Sequence, residues 1–190
     1  MSNKFALKLI AACALATGTT GLFAQHVHGA ADNPYAGQQT RDIKALSSTQ
    51  TEDLLAGKGM EQARAAELNG YPGPMHTLEL GQQLELTATQ RAASEQLMLK
   101  HKAEARALGE QLVEAERELD KAFAARRIDD AQLAAQTLRI GQLQAALRNS
   151  HLQTHLQQTR LLTPHQIKHY AQLRGYAGSA GASSTSKHQH

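Results

Sequence analysis

The sequence predicts an all-α fold, a long antiparallel helical hairpin with shorter flanking helices. Three observations lead there. The series Leu97, His101, Ala105, Leu108, Leu112, Ala115, Leu119, Phe123 advances in steps of three or four, the spacing of one helix face, with Glu, Lys and Arg filling the other. The pattern Leu-Thr-x-x-Gln occurs from Leu86 to Gln90 and again from Leu162 to Gln166, and each copy reads as a helix start. Aromatic residues make up only 4% of the chain, so its interior must be Ala and Leu between helices rather than one large globular core.

Taken in order, residues 1–24 read as an export signal. Lys4 and Lys8 form a basic start, residues 9–16 are apolar, and Leu22-Phe23-Ala24 offers a small residue before a cleavage point. The apolar run is too short to span a membrane. A second reading takes Ile10-Ala11-Ala12-Cys13 as a lipoprotein box, but Lys8 leaves it almost no apolar segment. Either way the expected location is the periplasm. Loss of the signal also removes the only Cys, and with it disulfides and thiolate metal sites. Lys4 and Lys8 leave too, which brings 20 basic side chains near parity with 17 acidic ones. No basic cluster with stacking aromatics is present, so nucleic acid is not an expected partner.

Residues 25–33 read as a flexible leader. Asn33-Pro34 predicts a short helix to about Leu46, and Thr49 with Glu52 predicts a capping box that opens a helix over residues 50–68, weakened by Gly57 and Gly59. Together residues 34–69 form an expected N-terminal helical arm. The breaker cluster Asn69-Gly70-Tyr71-Pro72-Gly73-Pro74 must turn. A short helix over residues 75–84 should follow.

In the first box Leu86 leads, Thr87 is placed to accept from the N3 amide, and Gln90 can reach back to the cap amide. Leu162, Thr163 and Gln166 repeat this, with Pro164 at N1, where its missing N–H costs nothing. Leu162 and Ile167 are spaced for a hydrophobic staple. Between the two boxes the pattern predicts helices over residues 88–127 and 130–160, divided at Ile128-Asp129-Asp130. The second carries Leu133, Ile140, Leu143 and Leu147 on one face and a narrower line at Leu138, Ala145, Leu152 and Leu156. Two apolar lines require two neighbours, one of which can be a dimer partner. At roughly 1.5 Å per residue each long helix would span about 45 to 60 Å, thin enough as a hairpin to favour dimerisation. A last helix over residues 164–173 should end at Gly175, and residues 177–190 read as a disordered Gly/Ser-rich tail.

The paired L-T-x-x-Q boxes bracketing a helical run resemble the Spy/CpxP-like periplasmic proteins, whose relatives include zinc-resistance-associated proteins and nickel/cobalt sensors. The resemblance covers roughly residues 70–176. It implies an elongated, curved all-helical homodimer and an ATP-independent chaperone or envelope-stress adaptor, with unfolded periplasmic proteins or a membrane signalling protein as partner.

All ten His lie beyond the expected signal. His26/His28 and His188/His190 form H-x-H pairs near the two ends. His151/His155 and His165/His169 are i, i+4 pairs, each presenting two imidazoles on one helix face. His is the usual ligand for zinc, nickel or copper where Cys is absent. His151 and His155 continue the Leu147 stripe and should face the neighbouring helix. Folding about residue 128 sets His101 opposite His155, so that His101, His151 and His155 converge with Met98 one turn away; Met75, His76 and Glu79 are further candidate ligands. The ordinary alternative is histidines bonded to carbonyls at a helix contact. His165 and His169 should face solvent. No Ser/His/Asp pattern, phosphate loop or H-E-x-x-H helix is visible, so an enzyme is not expected. A chaperone requiring no cofactor and a metal-binding resistance or sensor protein are the two readings.

Overall fold

A computed structural model describes residues 33–176. The expected export signal, Cys13 and the terminal histidines His26, His28, His188 and His190 lie outside the described residues. The chain divides into two compact units, Met1–Ala36 and Gly37–His190. In the first, residues 33–36 form a turn in which the Tyr35 amide donates to Asn33 Oδ1. Among the described residues the second holds six helices: α1 (Ser48–Leu55), α2 (Arg64–Glu67), α3 (Pro74–Glu79), α4 (Ala88–Ala124), α5 (Asp130–Leu161) and α6 (Pro164–Leu173). No strand occurs among the described residues.

Both L-T-x-x-Q boxes form as their chemistry requires. Thr87 caps α4 and Thr163 caps α6, each accepting from the N3 amide while the N3 Gln side chain accepts from the cap amide. The leading leucines of the two boxes differ in burial. Leu162 is buried at 8% exposure, whereas Leu86 is only half-buried. Leu86 follows a turn at Glu85, φ 50°, and its amide donates to the Gly81 carbonyl at 3.0 Å. That backbone bond ties it to the preceding turn, so Leu86 contributes less apolar anchoring to its box than Leu162 does.

Asp129 and Gln132 build the same kind of box at the start of α5. A fourth box corrects the expectation at residues 49–52. Ser47 with Gln50 opens α1, not Thr49 with Glu52.

The N-terminal arm is less regular than expected. The helix expected to reach Leu46 is replaced by turns and a single 3-10 turn at Gln38–Thr40. The helix expected over residues 50–68 breaks after Leu55. Gly57, Met60 and Glu61 all take positive φ there, and only the one-turn α2 follows. The helix expected to Leu84 stops at Glu79, short of the Glu85 turn.

The two long helices pack on one another. Gln158 donates to Ser94 near one end, and Arg139 pairs with Glu118 toward the other. Ala105, Leu112, Val113 and Ala115 of α4 meet Ile140 and Leu147 of α5 in the core. The arm completes that core with Ile43 and Leu54, and α1 can approach because Gly109 of α4 leaves room for the Leu54 backbone. The apolar stripe thins toward the α4–α5 turn, where Phe123 is 54% and Leu138 63% exposed. Short α2 and α3 lie against the far part of the pair and place the turn at residues 69–74 beside α5.

Candidate metal centre

The i, i+4 spacing on α5 puts His151 and His155 one turn apart, and the helix pairing decides what each meets. His101 Nε2 lies 2.9 Å from His151 Nδ1, with the two rings edge to face at 4.4 Å between centroids. This corrects the expected register, in which His155 stood opposite His101. Instead the His155 Nδ1 lies 2.7 Å from the Tyr71 carbonyl oxygen. A carbonyl only accepts, so Nδ1 carries the proton and Nε2 of the neutral ring keeps its lone pair.

On the other side of His101, Ser150 Oγ lies 3.3 Å from Nδ1. Two neutral imidazoles joined through nitrogen need one N–H and one lone pair. When His151 Nδ1–H donates to His101 and His101 Nδ1–H donates to Ser150, the His151 Nε2 is a bare lone pair. That nitrogen is buried and has no hydrogen-bond partner among the described residues. Such an orphan is expensive in an ordinary interior and is the atom a ligand would satisfy.

Both rings are held neutral. Burial pushes His151 down to about 4, helped by the neighbouring His101 and His155 rings. Burial likewise lowers His101, opposed by Glu104 and assisted by His155. A metal ligand must be the neutral imidazole, so both shifts favour ligation near neutral pH.

His101, His151 and His155 line a cavity of about 790 Å³, together with Met75, His76 and Met98. Six of the expected ligands thus share one space, although they come from α3, α4 and α5. Glu79 stands apart from the lining and holds His76 Nδ1 at 2.8 Å. Among the described residues no group of three or more His, Cys, Asp or Glu is gathered closely enough to hold an ion by itself. His165 is exposed and His169 half-buried, with their rings 6.1 Å apart.

Sequence reasoning passed over three contributors. Ser150 closes the His101 relay, and only tertiary packing reveals it. Met60 lines the cavity from the turn after α1; its rarity was a usable signal, since the chain has only four Met. Glu67 of α2 lines the cavity as well. Its Oε1 accepts from the Tyr170 hydroxyl at 2.6 Å and the Tyr176 hydroxyl at 3.1 Å, while the buried Oε2 lies 3.7 Å from His155 Nδ1.

A family model described as heavy-metal resistance matches residues 56–168, more than half of the chain and the whole of this centre. No curated protein and no solved structure matches the chain.

Proposed function

This chain belongs to the heavy-metal resistance family, within the Spy/CpxP-like L-T-x-x-Q proteins, and on that premise we propose that it binds a heavy-metal ion at the histidine centre. The observation that carries this reading is the buried His151 Nε2, unpartnered among the described residues, in a cavity that also takes in His155. The residues fit such an ion. Tyr71 fixes the tautomer of His155, and His101 with Ser150 can fix that of His151, which is how metal-binding imidazoles are oriented. Bound metal would supply a Lewis-acidic cation at that place. The chain's own work is to orient the His155 ring and to keep the buried His151 ring neutral.

Calorimetric titration of the full chain with zinc, nickel and copper tests it, beside a His151→Ala/His155→Ala double variant. Saturable binding lost in the double variant is expected. Equal binding by both proteins would overturn the assignment. The accompanying readings are an antiparallel α4–α5 hairpin, supported by the end-to-end pairing of its side chains, an exported periplasmic protein, a homodimer and no enzymatic activity. Sedimentation tests the dimer, and cell fractionation tests the location.

A second reading, an ATP-independent chaperone, is favoured by Leu99, Phe123 and Leu138, each more than half exposed on the long helices. Suppression of client aggregation by stoichiometric protein, with and without metal, separates it from the first.

A further inference from the structure

We infer that the cavity at the histidine centre is built for a soft monovalent cation, copper(I) or silver(I), bound by methionine thioethers together with imidazole nitrogens. The inference rests on the metal reading above and narrows it. Apart from Met1, the chain has three methionines, and all three, Met60, Met75 and Met98, line this one cavity. They arrive from separate places: the turn after α1, helix α3 and helix α4. Methionine filling core gaps would be expected at buried positions. Met60 packs against the core from a half-buried place, but none of the three is fully buried, and Met75 is 47% exposed at the cavity wall.

The charged lining points the same way. Lys58, Arg64, Arg106 and Arg174 border the cavity, paired respectively with Asp53, Glu61, the Ala56 carbonyl and Glu67. Among the described lining residues Lys102 adds a fifth cation against two carboxylates, Glu61 and Glu67, with Asp53 beside Lys58 as a third. A divalent ion that depends on carboxylate charge would meet a net positive wall. A monovalent ion bound by neutral sulfur and nitrogen loses less there. Thioethers are soft donors that favour copper(I), while imidazole alone already suits zinc and nickel.

The test uses the full chain with the terminal histidines His26, His28, His188 and His190 replaced by Ala, so that the ends cannot scavenge metal. Under anaerobic reducing conditions this protein competes with a coloured copper(I) chelator, while zinc and nickel are titrated in parallel. A Met75→Leu/Met98→Leu variant keeps side-chain volume and should fold. The expected result is copper(I) affinity weakened about ten- to hundredfold in that variant with zinc and nickel unchanged, and silver(I) displacing copper(I) from the parent. X-ray absorption of the copper(I) complex should show sulfur in the first coordination sphere. Unchanged copper(I) affinity in the Met variant, with metal binding still lost in His151→Ala/His155→Ala, would overturn the thioether assignment and leave the metal reading intact. Absence of binding for every metal would overturn both.

Discussion

Gln90 and Gln166 exchange amide hydrogen bonds: Gln90 Nε2 donates to Gln166 Oε1 at 2.9 Å, and Gln166 Nε2 donates to Gln90 Oε1 at 3.0 Å. Each Oε1 also accepts from its own cap amide, Thr87 or Thr163. Each Nε2 donates again to a carbonyl, Leu161 for Gln90 and Leu84 for Gln166. Both amides therefore use two donors and two acceptors in full. The backbone N–H of each cap can only donate, which fixes which end of each amide is oxygen. The motif is more than a pair of helix starts. It joins the beginning of α4 to the beginning of α6 and seals the end of α5 between them.

Replacing either Gln by Ala should cost about 1 to 3 kcal/mol, because the partner amide is left with unmet bonds in a part-buried place. The double Gln90→Ala/Gln166→Ala variant should cost less than the sum of the singles, with a coupling energy of about 0.5 to 3 kcal/mol. Chemical denaturation of the four proteins measures this. Strict additivity would mean that the two boxes act only as separate caps.

The caps were legible because a capping box is a bond between residues three apart, written wholly in local sequence. The unequal burial of Leu86 and Leu162 was not, since it depends on what each leucine meets after the chain has folded. Long α4 and α5 were legible because their stripes repeat with the helical period. The histidine register was hidden. A shift of one turn keeps the same face inward, so periodicity cannot tell His151 from His155 as the partner of His101, and only the packing of α4 on α5 shows which it is. The arm failed differently. Gly57 takes the positive φ that its residue type announced, but Met60 and Glu61 beside it, and Glu85 after α3, also occupy that region, which sequence signals with Gly or Asn, so their part in the breaks was not announced locally. The gathering of Met60, Met75 and Met98 needed the fold, though their scarcity was visible beforehand.

Two glycines on the long helices should respond oppositely to the same change. At Gly141 a methyl meets nothing within 4 Å, so Gly141→Ala should stabilise by about 0.5 to 1 kcal/mol through helix propensity. At Gly109 the same methyl would collide with the Leu54 carbonyl, which is backbone and cannot swing aside. Overpacking costs about 1 to 3 kcal/mol and outweighs the propensity gain. Thermal melts should rise for the first variant and fall for the second. A rise for both would mean α1 does not rest on α4.

Metal-free protein should lose stability on acidification between pH 6.5 and about 4. His151 has its folded-state value lowered from 6.5 to about 4 by burial first, and His101 is lowered in the same sense. Across that interval the unfolded chain binds more protons than the folded one, so stability rises with pH and falls as pH drops. A His151→Phe variant should flatten this dependence. Denaturant midpoints at stepped pH values report it, and an unchanged slope in the variant would assign the acid sensitivity elsewhere.

Gly73→Ala should weaken metal binding while leaving the fold in place. The Gly73 backbone, at φ −90° and ψ 155°, is open to any residue, so alanine brings no strain of its own. Its methyl would lie 2.8 Å from both Cε1 and Nε2 of His155. The ring must then move, and the bond from Nδ1 to the Tyr71 carbonyl that fixes its tautomer must lengthen or break. Disturbing such an orienting bond commonly weakens metal affinity about ten- to hundredfold. Titration of Gly73→Ala beside His155→Ala, with melting curves for both, measures the effect. Full affinity in Gly73→Ala, with affinity also kept in His155→Ala, would remove His155 from the ligand set and leave His151 Nε2 as the nitrogen on which the site is built.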